Sequence, residues 1–308
     1  MIQISTISEL TQTVTTAKKQ GKTIALVPTM GALHEGHLSL ISRARKENDF
    51  VVVSLFVNPI QFNNKEDLEK YPRTIEADCA KLTTVGADIA FIPSAEEMYP
   101  EPVTTTYHFG QIEEVMEGPR RPGHFSGVAV VVRKLFDLVQ PQHAYFGEKD
   151  YQQIAIIRNL LEQLDTQPDS GHISTLGHPV YHIPYPISIV PCPIVRADDG
   201  LALSSRNMRL SAEARAVAPT IYETLVQAVE MSEYEDVDTV KEYVLDTLAS
   251  FHEVNPLPNG LKFEPEYFEI VDDKTLQPVE KWRNSKGIVG CITVWIDGVR
   301  LIDMVRFR

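Results

Sequence analysis

Residues 24–37, Ile-Ala-Leu-Val-Pro-Thr-Met-Gly-Ala-Leu-His-Glu-Gly-His, constrain this chain more than any other stretch. The apolar run Ile24 to Val27 reads as a strand buried on both faces, as inside a parallel sheet. Pro28 is expected to end it, and Gly31 permits a tight turn. His34 and His37 then fall where the next helix should begin. A helix N-terminus offers unpaired N–H groups and a partial positive charge, which suits phosphate. Two imidazoles three residues apart share one helical face and can donate to phosphoryl oxygens. The segment therefore reads as a phosphate-handling site of a nucleotidyl-transfer type. Two plainer readings compete with it. A zinc site would want histidines four apart with a Glu between, and a third ligand. The other is a pair of surface histidines capping a helix.

Strands and helices alternate beyond this point. Ser8 can cap a helix to about Lys19, with Leu10, Val14 and Ala17 on one face and Gly21 as its stop. Strand 23–27 and helix 36–47 follow, then strand 50–57, helix 74–85, strand 88–92, helix 126–138, strand 144–146 and helix 150–163. This rhythm predicts a Rossmann-like parallel α/β domain over residues 1–192. Ligands of such sheets bind beyond the carboxyl ends of strands. The polar motifs after Val27, Val57 and Phe146 all fall there. Residues 165–186 lack a period and read as a loop or a small hairpin. His172, His178 and His182 within it are too irregularly spaced to suggest a metal site. A smaller α+β domain over 193–308 is expected after a hinge near 191–199. It would hold helices 212–231 and 236–250 and strands 265–271, 288–296 and 299–307. Asp297-Gly298 signals a type I′ hairpin.

The 308-residue chain carries a net charge of −13, which argues against nucleic acid or an anionic membrane as a partner. Any bound ATP must then be held by local cations against the overall field. Cys79, Cys192 and Cys291 are isolated, so neither a disulfide framework nor a zinc cluster is indicated. The N-terminal Met1 to Ser5 has no basic region followed by an apolar core, and Val128 to Val132 is far too short to cross a bilayer. A cytoplasmic location is expected.

Three further constellations carry chemistry. Asn58 and Gln61 follow the second strand, and their amides suit a hydroxyl-bearing substrate. In Phe146-Gly147-Glu148-Lys149-Asp150-Tyr151-Gln152-Gln153, Gly147 allows close backbone approach and Lys149 suits phosphate. Asp150 could orient a ribose or a Mg²⁺-bound water, or merely cap a helix. Leu203-Ser204-Ser205-Arg206-Asn207 behind an Asp-Gly turn looks like a lid whose guanidinium forks phosphate oxygens. Glu117 to Phe125, rich in charge, Pro and Gly, reads as a site rim, a subunit contact or a solvated loop.

Six motifs in order, spanning nearly the whole chain, resemble the pantothenate synthetase (pantoate–β-alanine ligase) family. They are 28–37, Phe-Val-Asn-Pro-Ile-Gln-Phe at 56–62, Tyr-Pro-Arg-Thr at 71–74, Gly-His-Phe-Ser-Gly-Val at 123–128, 146–153 and Gly-Leu-Ala-Leu-Ser-Ser-Arg-Asn at 200–207. The first and last look like the HIGH and KMSKS-type elements of the wider nucleotidylyltransferase superfamily. The resemblance implies that pantoate carboxylate attacks the α-phosphorus of MgATP, releasing pyrophosphate, and that the β-alanine amine then attacks the pantoyl adenylate, releasing AMP. It implies an ATP site of Met30, Gly31, His34, His37, Gly147, Glu148, Lys149, Asp150, Val195, Leu203, Ser204, Ser205 and Arg206. Within it, His37 would be the acid, and His34, Lys149 and Arg206 would share the catalysis. Gln61 and Gln153, with Asn58 and Tyr71, would hold pantoate and β-alanine. Mg²⁺ would ride mainly on the ATP phosphates without protein ligands of its own. Glu117 and Arg121 would form the contact pair of a homodimer. Residues 165–186 are longer than the family leads one to expect, by roughly ten residues on ordinary loop lengths.

The competing expectation is a related nucleotidylyltransferase acting on another small acid or phosphate ester. It would keep the histidine pair and the lid but has no reason to aim Gln61 and Gln153 at a small hydroxy acid. A non-catalytic nucleotide-binding regulator would show a damaged His pair or lack Lys149, and both are intact.

Overall fold

The computed structural model describes residues 1–166, 186–254 and 260–308. The chain first forms β1 (Ile2–Ile4), α1 (Ile7–Lys19), β2 (Ile24–Thr29), α2 (Glu35–Glu47) and β3 (Phe50–Leu55). Next come α3 (Lys65–Glu69), α4 (Ile75–Thr84), β4 (Ile89–Phe91), α5 (Ala95–Met98), α6 (Glu117–Arg120) and α7 (His124–Val139). β5 (His143–Gly147), α8 (Tyr151–Thr166) and β6 (Ser188–Cys192) complete the first unit. Its strands lie in the order β1-β4-β3-β2-β5-β6, every neighbouring pair parallel.

The chain builds outward from β2 through β3 and β4, then returns to β5 on the other flank of β2. That reversal leaves a crevice beyond the carboxyl ends of β2 and β5, the place where open α/β sheets bind ligands. Alternation along β2 supplies both faces of the core. Ile24 and Leu26 pack with α1, α7 and α8, whereas Ala25 and Val27 pack with α2 and α4. Each such buried Leu or Ile contributes about 1.5–3 kcal/mol, so the sheet is a stiff platform for its polar ends.

The second unit holds α9 (Ala212–Val217), α10 (Thr220–Met231), α11 (Val237–Val254), β7 (Glu264–Asp272), β8 (Ile288–Ile296) and β9 (Val299–Arg306). Its strands form an antiparallel β7-β8-β9 sheet. One face buries Phe268, Ile270 and Ile292 under α10 and α11. The other face presents Tyr267, Val271, Cys291 and Met304 to Met116 and Tyr151 of the first unit. The small sheet is thus seated by apolar contact beside the start of α8. Asp297 and Gly298 both have positive φ, 54° and 67°, as a type I′ turn requires.

The structure corrects three local expectations. Thr6, not Ser8, caps α1, accepting from the Glu9 N–H at 3.3 Å. β2 does not stop at Pro28 but pairs with β3 through Thr29. The proline is tolerated because β5 pairs with β2 only at Ala25 and Leu26, leaving that flank open beyond. The helix expected over 212–231 is two helices, broken before Pro219, whose ring and missing N–H oppose continuation. Of the segment 165–186, α8 accounts for the first two residues, and residues 167–185 with their three histidines lie outside the described residues.

Candidate active site

The first wall of the crevice is set by backbone geometry. Thr29 Oγ1 donates to the Ser54 carbonyl (2.7 Å) and accepts from the Gly31 N–H (3.2 Å). Gly31 and Ala32 follow with φ of 81° and 50°, two consecutive left-handed residues. Asp78, buried in α4, captures that turn by accepting from the N–H groups of Ala32 and Leu33, both at 2.8 Å. Lys81 Nζ donates to the Leu33 carbonyl at 2.5 Å. The turn therefore delivers His34 to the N-cap of α2 in a fixed orientation.

The histidines form a capping box. His34 Nδ1 accepts from the Gly36 N–H (3.2 Å), and His37 Nδ1 accepts from the His34 N–H (3.4 Å). Their rings lie 4.1 Å apart. With each Nδ1 occupied as an acceptor, the proton of each neutral ring sits on Nε2, which becomes a donor. Burial, then the Lys149 charge, pulls His34 down to about 4. Burial, then His34 and Lys149, holds His37 well below the ordinary range. Both rings are therefore held as neutral Nε2–H donors in the neutral range. Gly36 is part of this device, since a Cβ there would come 2.9 Å from the His34 ring.

The second wall follows β3. Asn58 is buried and spent on structure. Its Nδ2 donates to Gln61 Oε1 (3.0 Å) and to the Gly127 carbonyl (3.1 Å), and its Oδ1 accepts from the Tyr99 hydroxyl (2.9 Å). Asn58 thereby orients the Gln61 amide, whose Nε2 meets, among the described residues, only the weak acceptor Met30 Sδ at 3.3 Å. A Cβ on Gly127 would lie 2.6 Å from the Ile60 carbonyl oxygen, so glycine lets α7 close against this turn. The Gln153 side chain, from α8, makes no hydrogen bond among the described residues and faces the same space.

The third wall is the hairpin from Val195 to Leu203, where the Leu203 N–H donates to the Val195 carbonyl at 3.0 Å. Ser204 caps the following turn, and Ser205 Oγ donates to the Ala32 carbonyl at 3.0 Å, tying this loop to the His34 turn. Arg206 donates to Asp67 of α3 (2.8 Å), as does Arg209 (2.8 Å). Burial opposes the Asp67 charge, but the two guanidinium groups more than offset it and lower its pKa. Tyr71 lies beneath, its ring 5.9 Å from the Arg206 guanidinium and its hydroxyl pushed up by burial.

These walls enclose a cavity of about 200 Å³ that joins Met30, His34 and His37 with Lys149, Gln153 and Arg206. Lys149, Asp150, Gln153, Ser204 and Arg206 also line a larger cleft of about 920 Å³ against the antiparallel sheet. Asp150 is the one carboxylate on the smaller cavity's wall among the described residues, and its Oδ2 lies 3.5 Å from Lys149 Nζ.

Two expectations are not met by this grouping. Glu148 does not line the smaller cavity; its carboxylate turns to β9 and accepts from Arg306 at 2.8 Å, while Lys149 and Asp150 of the same turn face the cavity. Gly31, the second, shapes the turn before His34 without lining the smaller cavity. Glu117 and Arg121, expected at a dimer contact, also have partners within the chain. Glu117 accepts from both terminal nitrogens of Arg300 (2.7 and 2.8 Å), and Arg121 donates to His124 Nε2 (3.0 Å). Sequence reasoning missed Asp78, Asp67 and Gly127. Only Asp78 left a legible sign, an acidic residue on the apolar face of its helix beside Cys79 and Leu82.

The family model for pantoate-beta-alanine ligase matches residues 2–306. The chain is 48% identical to the pantothenate synthetase of Bacteroides fragilis, covering 99% of this chain and 98% of that one. It is 49% identical to that of Bacteroides thetaiotaomicron, with the same coverage. Among solved structures, the Thermus thermophilus enzyme superposes with a TM-score of 0.85 at 40% identity, covering 100% and 99% of the two chains. The Francisella tularensis ligase, crystallised with a β,γ-ATP compound and β-alanine, gives 0.75 at 32% identity, covering 100% and 98%. The chain belongs to the pantoate–β-alanine ligase family.

Proposed function

We propose that this enzyme, an ATP-dependent pantoate–β-alanine ligase, works through a pantoyl adenylate made in the His34–Lys149 cavity. The observation that carries the reading is the convergence of two Nε2–H donors, one lysine and one arginine on a single cavity whose far wall carries Gln61 and Gln153. The cations and donors neutralise charge that builds on the phosphates as the pantoate carboxylate attacks the α-phosphorus and pyrophosphate leaves. Gln61 and Gln153 hold the hydroxy acid. Met30, Gly147, Val195 and Leu203 border the nucleoside, and Asp150 is the group able to meet its ribose. The β-alanine amine then attacks the acyl carbon, and AMP departs. Closure of the 203–206 loop keeps water from the adenylate.

Among the described residues no three His, Cys, Asp or Glu side chains converge as a metal cage. Mg²⁺ would ride on the ATP phosphates, and Asp150, on the smaller cavity's wall, would be the carboxylate able to meet its water. We place the domain boundary at 192/193, where β6 ends. No described helix is long and apolar enough to cross a membrane. The resemblance further implies a cytoplasmic homodimer, which light scattering tests.

The decisive experiment is product analysis with ATP, Mg²⁺ and D-pantoate, with and without β-alanine. One equivalent of pyrophosphate without β-alanine, then turnover to AMP and pantothenate with it, is expected. No pyrophosphate from folded protein until β-alanine is added would overturn the adenylate route.

A further inference from the structure

His124 stands outside the cavity that holds the histidine pair, yet it is buried and fully engaged. Its Nδ1 lies 2.9 Å from the Gln61 carbonyl oxygen and its Nε2 lies 3.0 Å from Arg121 Nη1. A guanidinium can only donate, so Nε2 accepts and the proton resides on Nδ1, donated to Gln61. Burial, then the Arg121 charge, draws His124 down to about 4, which keeps this single tautomer through the neutral range.

Arg121 in turn lies 3.6 Å from Glu117 Oε2. Glu117 is gripped from the antiparallel sheet by Arg300, by the Tyr267 hydroxyl (2.7 Å) and by Thr293 Oγ1 (3.0 Å). Its backbone is no less constrained. Met116 before it has φ of 49°, a strained value for a non-glycine residue. A Cβ on Gly118 after it would come within 1.6 Å of the Glu113 carbonyl. Gln152 fixes the turn by accepting from the Glu117 N–H (2.9 Å) while donating to the Val115 carbonyl (2.8 Å). A strained turn held on every side marks a group whose position matters.

We propose that Arg121 and His124 are positioning residues for Gln61 that fasten the acid-binding wall, through Glu117 and Arg300, to the antiparallel sheet. The small sheet thereby sets the register of the Gln61 turn, although none of its residues reaches the smaller cavity. This inference rests on the reading of Gln61 as a holder of pantoate.

The test compares KM for pantoate and for ATP in His124→Phe, His124→Asn, Arg300→Leu and Gln61→Ala. His124→Phe removes the donor to Gln61 and is expected to raise the pantoate KM about tenfold, the scale of one lost buried hydrogen bond, with the ATP KM within about twofold. His124→Asn keeps an N–H near the Nδ1 position and is expected to recover most of that loss. Arg300→Leu is expected to raise the pantoate KM in the same sense, and its combination with His124→Phe to fall short of the product of the two. Equal rises in both KM values, no recovery in His124→Asn, or an unchanged pantoate KM in Arg300→Leu would each overturn the proposal while leaving Gln61 in place. An unchanged pantoate KM in Gln61→Ala would instead remove Gln61 from the acid site, and the proposal with it.

Discussion

The histidine wall and the hairpin wall of the cavity are built by different means. On the β2 side, Gly31, Ala32 and the capping box fix the histidines through backbone hydrogen bonds, with Asp78 closing the turn from beneath. On the hairpin side, Arg206 is held by a side-chain ion pair to Asp67, and the loop touches the opposite wall through Ser205. The first wall is finished before substrate arrives. The second offers a cation whose present partner is an anion that phosphate oxygens could replace. A preorganised wall stabilises the transition state without moving, whereas an exchangeable one can open and close.

The largest effects should come from the finished wall. His37→Ala is expected to slow adenylation by roughly 10²–10⁴, the range for a positioned donor at developing charge. Pyrophosphate release in a single turnover measures it, and a near wild-type rate would remove His37 from the chemistry. Next comes Asp78→Ala, which strands two buried N–H donors at about 1–3 kcal/mol each. Urea unfolding should show a loss of at least about 2 kcal/mol. Activity should fall further than the unfolded fraction explains, because the His34 turn loosens. An unchanged midpoint would mean that water replaces the carboxylate and that the turn is not preset.

How much of this contrast was legible follows from the range of the interactions. The β2–α2 wall could be read because strand, glycine turn and histidine spacing are all local, within fourteen residues. The positions of Gln61 and Lys149 followed from strand ends, since a parallel sheet gathers such ends on one edge. Asp78 left a sign on the apolar face of its helix, but its role was hidden because its partner Leu33 lies 45 residues away. The Glu117–Arg300 pair spans 183 residues and leaves no periodic trace, so the charged, Pro-rich segment read as site rim, subunit contact or solvated loop without its partner in the small sheet. The break at Pro219 was legible but lost to the apolar periodicity running through it.

The finished wall should also have a pH signature. Its His34, and His124 behind the Gln61 turn, are both held near 4 in the fold, against about 6.5 in the unfolded chain. The unfolded chain therefore takes up more protons between these values, and stability that is complete above pH 6.5 is lost as pH falls toward 4. For the more deeply buried His124 the loss at pH 5 is about 2 kcal/mol. Unfolding midpoints at pH 7 and pH 5 measure it, and His124→Asn should flatten the difference. A midpoint that does not fall on acidification would mean that these rings are solvated.

The smallest effect is the one that separates the walls most cleanly. If Arg206 waits on Asp67 as a stand-in for phosphate, neutralising that carboxylate removes a competitor and makes the cleft more positive. Asp67→Asn should then lower the KM for ATP by about two- to threefold, a change of well under 1 kcal/mol, while the histidine wall is untouched. The gain should shrink as salt is raised, since Asp67 is partly exposed. A rise in KM of similar size, insensitive to salt, would reverse the assignment. Asp67 would then hold Arg206 in its working position, and the hairpin wall would be as preset as the other.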